Sequence, residues 1–248
     1  MSPHFSLEEA ARRYDRYRPK VHGIVVDWLG ECFGQRRWKN GIDVACGTGD
    51  STLPLLQVCD TVLGIDSSPQ MLSFAKDKGL ATRVASYDAL NETGAYDLVS
   101  TCMAFHWFDP EKALTVYKRI SSPGATWVIY NFAFGGHASS NAFNDWLREY
   151  YLTTYPPPPK NRGAPVIPDD DAEVALLKQE QGIIPIRFTP EGLVGYLSTH
   201  SNVEAAVKDG GTYDAICESL LTEIGAVDIG GHFNYKYTYA IYKCRGKP

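Results

Sequence analysis

No apolar run in the 248 residues approaches the roughly 20 needed to cross a bilayer. The opening MSPHFSLEEAARRYDRYRP also has no apolar stretch of the signal-peptide kind. No membrane partner and a cytoplasmic location are the expectation. An excess of positive charge is missing too: 24 Lys and Arg stand against 29 Asp and Glu, for a net charge of -5 and a pI near 5.7. A surface that tracks a phosphate backbone is not implied, which argues against a nucleic-acid partner. Cysteine is scattered. Cys32, Cys46, Cys59, Cys102, Cys217 and Cys244 form no CxxC pair and have no histidine at zinc-finger spacing, so neither a disulfide framework nor a metal site is expected. Cys46, Cys59 and Cys102 lie in or beside apolar segments and read as small core hydrophobes. There is no internal repeat.

What is present is ordinary globular composition, 44% hydrophobic and 21% charged, in a length that suits one sizeable core. Residues 1–248 are therefore read as a single domain. A polar helix opens the chain at about Ser6 to Tyr17, and Val21 to Phe33 carries apolar residues at helical spacing. Five short buried strands follow: IDVAC, TVLGID, ATRVAS, YDLVSTCM and ATWVIYNF. Between them stand GTGDSTLPLLQVC, SSPQMLSFAKDKG with a serine cap before Pro69, and DPEKALTVYKRI capped by Asp109. Strand-then-helix units in series predict a doubly wound, mostly parallel sheet covered on both faces, an α/β fold. From Phe134 to about Phe188 the alternation stops, and an aromatic helix, a proline run and an acidic DDD predict a helical cap insertion. Helices at PEGLVGYLST and around Tyr213 to Leu221, then an alternating strand HFNYKYTYAIYKC at or near a sheet edge, complete the pattern.

The chemistry concentrates after the first strand. Gly47 and Gly49 allow a tight turn and a close approach to a ligand, and the chain that follows aims free N–H groups at it. Asp66 ends the second strand, 17 residues after Gly49, where a carboxylate can accept both hydroxyls of a ribose. A dinucleotide fingerprint would need a third glycine where Thr52 stands. Asp43, four residues before Gly47, is placed instead to meet a ligand ammonium, directly or through water, and a nicotinamide cofactor offers none.

DVACGTGDST, VLGIDSSPQML and YDALNETGAYDLVSTCMAFHWFD resemble the motifs of class I S-adenosylmethionine-dependent methyltransferases. The opening YDRYRPKV, the AFHWFD after strand four and FTPEGLVGYLSTHSNV are similar, more narrowly, to the small-molecule branch that includes trans-aconitate methyltransferases. The resemblance implies a Rossmann-like seven-stranded sheet, S-adenosyl-L-methionine as cofactor, and a lid helix at about residues 1–20. It implies that Tyr14, Asp43, Ala45, Gly47, Gly49, Asp66, Ser67, Met71, Asp88, Ala89 and Met103 hold the cofactor. Ala45 departs from the family, which commonly has glycine there.

Each candidate has a plain structural alternative. Asp66 could cap a helix, although Ser67 and Ser68 already supply caps. Asp88 could serve its own turn. His106, the candidate catalytic residue, could pack among Phe105, Trp107 and Phe108. The topology puts a small-molecule acceptor over strands four and five, against His106, Trp107, Asn131 and Phe132, with Trp146 and Tyr150 of the insertion as the roof. The expected activity is methylation of a small molecule, O-methylation of a carboxylate or hydroxyl before N- or C-methylation, in a monomer or homodimer. A nicotinamide-dependent oxidoreductase and a non-catalytic S-adenosylmethionine-binding module are the alternatives.

Overall fold

The computed structural model describes residues 8–158, 171–227 and 229–245. Its frame is a seven-stranded sheet in the order β3-β2-β1-β4-β5-β7-β6. The strands are β1 (Trp38–Val44), β2 (Cys59–Asp66), β3 (Ala81–Val84), β4 (Tyr96–Cys102), β5 (Ser121–His137), β6 (Val174–Ile186) and β7 (Phe233–Cys244). Strands β1 to β5 pair in parallel, and β7 runs antiparallel to both β5 and β6. Period-2 alternation builds two cores. Val128, Tyr130 and Phe132 of β5 point into one, with Val25, Trp28 and Leu29 of α2 (Ile24–Phe33); Trp127 and Ile129 point into the other, with Val116, Tyr117 and Ile120 of α5 (Pro110–Ile120). This is the doubly wound, Rossmann-like and mostly parallel architecture that the sequence predicts.

The helices start where the sequence marks them. Ser68 accepts from Met71 N (3.2 Å) ahead of α4 (Pro69–Asp77), and Asp109 accepts from Lys112 N (3.1 Å) ahead of α5. Thr189 accepts from Gly192 N (3.1 Å) ahead of α8 (Pro190–Leu197), and Thr212 from Ala215 N (3.3 Å) ahead of α10 (Tyr213–Ile224). Each cap satisfies an N–H the helix leaves orphaned, worth about 1 kcal/mol. The opening helix α1 (Glu8–Tyr17) lies across the carboxyl side of the sheet, touching both α4 and α8. Gly195 permits the α8 contact: a Cβ there would come within 2.3 Å of the Tyr17 ring.

Three expectations about elements are corrected. The stretch 134–188 is not one helical cap, because β5 continues through Phe134, paired with Tyr235, to His137, paired with Phe233, and β6 fills Val174–Ile186. The inserted helical part is α6 (Asn141–Trp146), a π-helical turn Leu147–Tyr151 and α7 (Leu152–Thr154); residues 159–170 of the expected cap lie outside the described residues. An edge strand buries only one side chain fully and tolerates Pro185, so it shows neither the alternation nor the β-rich run of a central strand. The glycine turn leads into a single helical turn, α3 (Thr52–Leu55), which contains Pro54. Between β3 and β4 there is only a 3-10 turn, Tyr87–Ala89, so the alternation is not five full strand-then-helix units. Helix α9 (Ser201–Lys208), behind α8, was not anticipated. Among the described residues no helix is long and apolar enough to cross a membrane, and no group of His, Cys, Asp or Glu could hold a metal ion.

Candidate active site

The carboxyl ends of β1 and β2 build a polar cradle. Asp43 is fully buried on β1, and its Oδ2 accepts from Ser51 Oγ (2.6 Å) and Thr52 Oγ1 (2.7 Å). Its Oδ1 has no hydrogen-bond partner. Burial pushes the Asp43 pKa up to about 6, against the pull of the Ser51, Thr52 and Ser100 hydroxyls. Asp66 accepts from Gly47 N (3.0 Å) through Oδ2 and from Ser68 N (2.8 Å) through Oδ1. Burial raises its pKa while these backbone donors lower it. The loop between them is strained on purpose or tolerated at a cost: Ala45 has φ 61°, a left-handed conformation worth about 1–2 kcal/mol to a residue with a Cβ. Gly47, at φ 56°, faces Met71, whose Cε would lie 3.1 Å from a Cβ placed there.

A cavity of about 300 Å³ opens beside the cradle, past the ends of β4 and β5. Met103, His106 and Trp107 line it from the β4 side, and Asn131 and Phe132 from β5. Met103 holds φ 54° while its N–H donates to Tyr130 O (2.9 Å), so the backbone is bent as it leaves β4. The His106 ring lies 4.8 Å from that of Trp107. Tyr14 and Arg18 come down from the α1 segment, and Tyr196 and His200 close the side formed by α8. Arg18 is 9% exposed; one of its terminal nitrogens donates to Thr199 O (2.9 Å), and its guanidinium lies over the Tyr14 ring at 4.8 Å and the Tyr196 ring at 5.5 Å. Burial pushes the Tyr14 hydroxyl pKa up, so it is a neutral donor and acceptor.

Residues 42–129, which hold both the cradle and the β4 turn, match the family model described as a methyltransferase domain. The chain carries a methyltransferase domain. The trans-aconitate 2-methyltransferase of Mycobacterium marinum is 26% identical over 133 residues, 48% of this chain and 51% of that protein. The chain spans about half the length of the curated relatives it matches. Among solved structures, a protein from Anaeromyxobacter dehalogenans provisionally described as a type II methyltransferase superposes with a TM-score of 0.63 at 21% identity, covering 93% of this chain and 98% of that one. Phosphoethanolamine N-methyltransferase 2 of Haemonchus contortus, solved with S-adenosyl-L-methionine, gives 0.53 at 15% identity, covering 97% and 58%.

Within this methyltransferase fold the sequence-predicted residues divide. Asp43, Ala45, Gly47, Asp66, Ser67 and Met71 come together around the glycine loop. Gly49 holds φ 86°, and a Cβ there would meet Leu80 at 2.4 Å and Ala75 at 3.1 Å, so the position also needs glycine for packing. The Asp88 carboxylate is exposed and accepts from Lys112 Nζ (2.8 Å) and from Ser86 Oγ, as a turn residue would, with Ala89 exposed beside it. Tyr14, Met103, His106, Trp107, Asn131 and Phe132 all line the cavity. Trp146 and Tyr150 do not; they stack on one another in the core shared with Tyr130 and Phe132, Tyr150 reaching Ser219 Oγ (3.2 Å), and the insertion reaches the cavity through Leu152 and Pro157 instead. Arg18, Tyr196 and His200 were missed as site residues. All three lie within YDRYRPKV and FTPEGLVGYLSTHSNV, the stretches that carried the narrower resemblance.

Proposed function

We propose that the chain is an S-adenosylmethionine-dependent methyltransferase that acts on a small molecule, with O-methylation of a carboxylate or hydroxyl the reaction its site serves best. The observation that carries this reading is the adjacency of the Asp43–Gly47–Asp66 cradle and the 300 Å³ cavity past β4 and β5. The cradle fits the cofactor. A buried, unpartnered Asp43 Oδ1 suits an ammonium reached directly or through water, and Asp66 is oriented by two backbone donors with lone pairs to spare for ribose hydroxyls. A bound S-adenosylmethionine supplies an electrophilic methyl on a sulfonium. The chain's own contribution is to exclude water, align the acceptor and hold it in reach of that methyl. Tyr14 closes the cavity from α1, Met103 and Phe132 wall it, and His106 takes the proton of a hydroxyl acceptor. A carboxylate acceptor needs no base.

The dinucleotide alternative is weaker, because the hydroxyl of Thr52, which stands where the third glycine would be, is bonded to Asp43. The reading includes a cytoplasmic location and a small-molecule acceptor, in a monomer or homodimer. Calorimetry with S-adenosylhomocysteine and with NAD tests it. S-adenosylhomocysteine should bind and NAD should not; Asp66→Ala should weaken binding by roughly tenfold or more, through loss of charge-assisted hydrogen bonds. His106→Ala should keep that affinity within about threefold while slowing methylation of hydroxyl acceptors by roughly a hundredfold. Tight NAD binding with no affinity for S-adenosylhomocysteine would remove the proposal.

A further inference from the structure

The imidazole of His200 is held in one tautomer by a hydroxyl that belongs to the insertion. Tyr151, the last residue of the π-helical turn, is 1% exposed, and its hydroxyl donates to Leu197 O (2.9 Å) at the end of α8. The same oxygen lies 3.1 Å from His200 Nδ1. A phenol has one proton and a backbone carbonyl can only accept, so the Tyr151 proton is spent on Leu197 and His200 must donate. The side chain of Asn202, whose Nδ2 donates to Tyr155 O (2.8 Å), also hydrogen-bonds this hydroxyl. Burial pushes the Tyr151 pKa up, which keeps its proton in place. Nδ1 therefore carries the hydrogen of the neutral ring, and Nε2 is the acceptor.

The local structure points the same way. His200 is the N-cap residue of α9, a place where Ser, Thr, Asp or Asn would satisfy an orphaned N–H, yet its side chain makes no cap bond. Forgoing that bond costs about 1 kcal/mol. The ring is instead pinned edge-on to Tyr196 at 4.8 Å and to Tyr151 at 6.0 Å. Its Nδ1 edge meets a buried tyrosine, while His200 is itself partly exposed and lines the cavity, so the Nε2 edge is the one that reaches the ligand space. His106 borders the same space from the β4 turn. Two imidazoles thus address one cavity of about 300 Å³, with Trp107, Phe132 and Phe134 as flat apolar walls. It suits a compact molecule and is too small for a peptide segment.

We infer that His200 is a specificity-determining residue of the acceptor site: its Nε2 accepts a hydrogen bond from a second O–H or N–H of the methyl acceptor, apart from the hydroxyl served by His106. Tyr151 is the positioning residue that fixes the ring. The inference rests on the proposed methyl-transfer reading and adds to it that the acceptor is a compact molecule with two hydrogen-bond donors. A site that aims a partly buried acceptor atom at a donor rejects the analogue lacking that donor, because the atom is then desolvated with nothing in exchange.

NMR of the imidazole nitrogens in the full chain tests the geometry with no acceptor present. Above neutral pH the His200 ring, assigned by its absence from His200→Gln, should carry its hydrogen on Nδ1, and Tyr151→Phe should lose that preference. Calorimetry tests the ligand: with the chain saturated with S-adenosylhomocysteine, at least one of catechol, resorcinol and ortho-aminophenol should bind roughly tenfold or more tightly than phenol. In the wild type that compound should move the Nε2 resonance and leave Nδ1 in place. His200→Phe should abolish the preference while keeping S-adenosylhomocysteine affinity within about threefold, and His200→Gln, whose amide oxygen can accept in the same place, should keep part of it. The inference is overturned if the wild-type ring carries its hydrogen on Nε2, if Tyr151→Phe leaves the tautomer unchanged, if no compound outbinds phenol, or if the preference survives in His200→Phe. Should His200→Phe fail to fold, an unmoved Nε2 resonance in the wild type overturns it equally. Failure of S-adenosylhomocysteine to bind the wild type at all would instead defeat the proposed function, with the tautomer of the ligand-free chain still deciding the placement of His200.

Discussion

A carboxylate as enclosed as that of Asp43 is poorly suited to carrying its charge in an empty protein. Its pKa in the fold is about 6, above the ordinary 3.8, because burial outweighs the Ser51, Thr52 and Ser100 hydroxyls. With the folded value raised, the protonated form favours the native state below pH about 4, and that contribution is lost as pH rises through about 6. Above that, ionised Asp43 costs on the order of 3 kcal/mol relative to a neutral side chain. Asp43→Asn should therefore be more stable than the wild type toward urea at pH 8, by about 1–3 kcal/mol, with the difference fading near pH 4. A variant less stable at pH 8 would show that the charge is already compensated. The same substitution should weaken S-adenosylmethionine binding, since the cost is retained for an ammonium. Asp43, Gly47 and Asp66 were legible because the spacing of strand, glycine turn and acid is set by backbone geometry. Arg18 was not, since an arginine just past a polar helix reads as solvated until the fold covers it with Tyr196 and Thr199.

At the scale of elements, α1 is fastened to the cofactor side by charge. Lys78 Nζ, at the end of α4, donates to Asp15 Oδ1 of α1 (2.5 Å), to Asp50 Oδ1 (2.8 Å) and to Thr48 O (2.8 Å). Lys20 adds a bond to Asp50 Oδ2 (2.5 Å). Burial disfavours the charge on Lys78, yet its bonds to Asp15 and Asp50 outweigh this and raise its pKa; Asp50 is shifted the opposite way, below the usual carboxylate range, by Lys20 and Lys78 against its own burial. Lys78 is partly shielded, so the clasp is worth more than a surface pair, about 1–2 kcal/mol. In Lys78→Met, amide exchange across Glu8–Tyr17 should speed up by roughly tenfold, and S-adenosylhomocysteine release should quicken and lose its dependence on salt. Unchanged exchange in α1 would mean the clasp is decorative. Helices α4, α5 and α8 were readable from their caps and a proline in the first turn, and β1, β2, β4 and β5 from short apolar runs, whereas β3 is a mostly exposed strand. β6 was not: Leu176, Leu177 and Ile183 are exposed on an outer strand, and that strand is defined by its pairing with β7, which local sequence does not display.

For the molecule as a whole, the sheet separates the glycine-loop half at β1 to β3, proposed above to hold the cofactor, from the cavity half at β4 and β5, proposed to hold the acceptor, and α1 touches elements of both. On the cofactor side it offers Asp15 to Lys78. On the other, Arg13 donates to Ser198 Oγ (2.7 and 2.9 Å) at the end of α8, and Arg18, just past the helix, lies over Tyr196 of α8. Ordering α1 against the cofactor loop therefore orders the wall of the acceptor cavity, and a ligand in one half lowers what must be fixed for a ligand in the other. Such coupling is reciprocal and typically amounts to about 1–3 kcal/mol. Amide exchange provides a measurement that needs no knowledge of the acceptor. Addition of S-adenosylhomocysteine to the wild type should slow exchange in α4 and α1, and also across Pro190–Leu197 of α8, a helix with no residue in the glycine loop. In Lys78→Met the protection should remain in α4 and be lost from α8, because the path through α1 is cut. Protection of α8 that survives in Lys78→Met would mean that the sheet itself, rather than α1, connects the halves; protection confined to α4 in the wild type would mean that they are not connected at all.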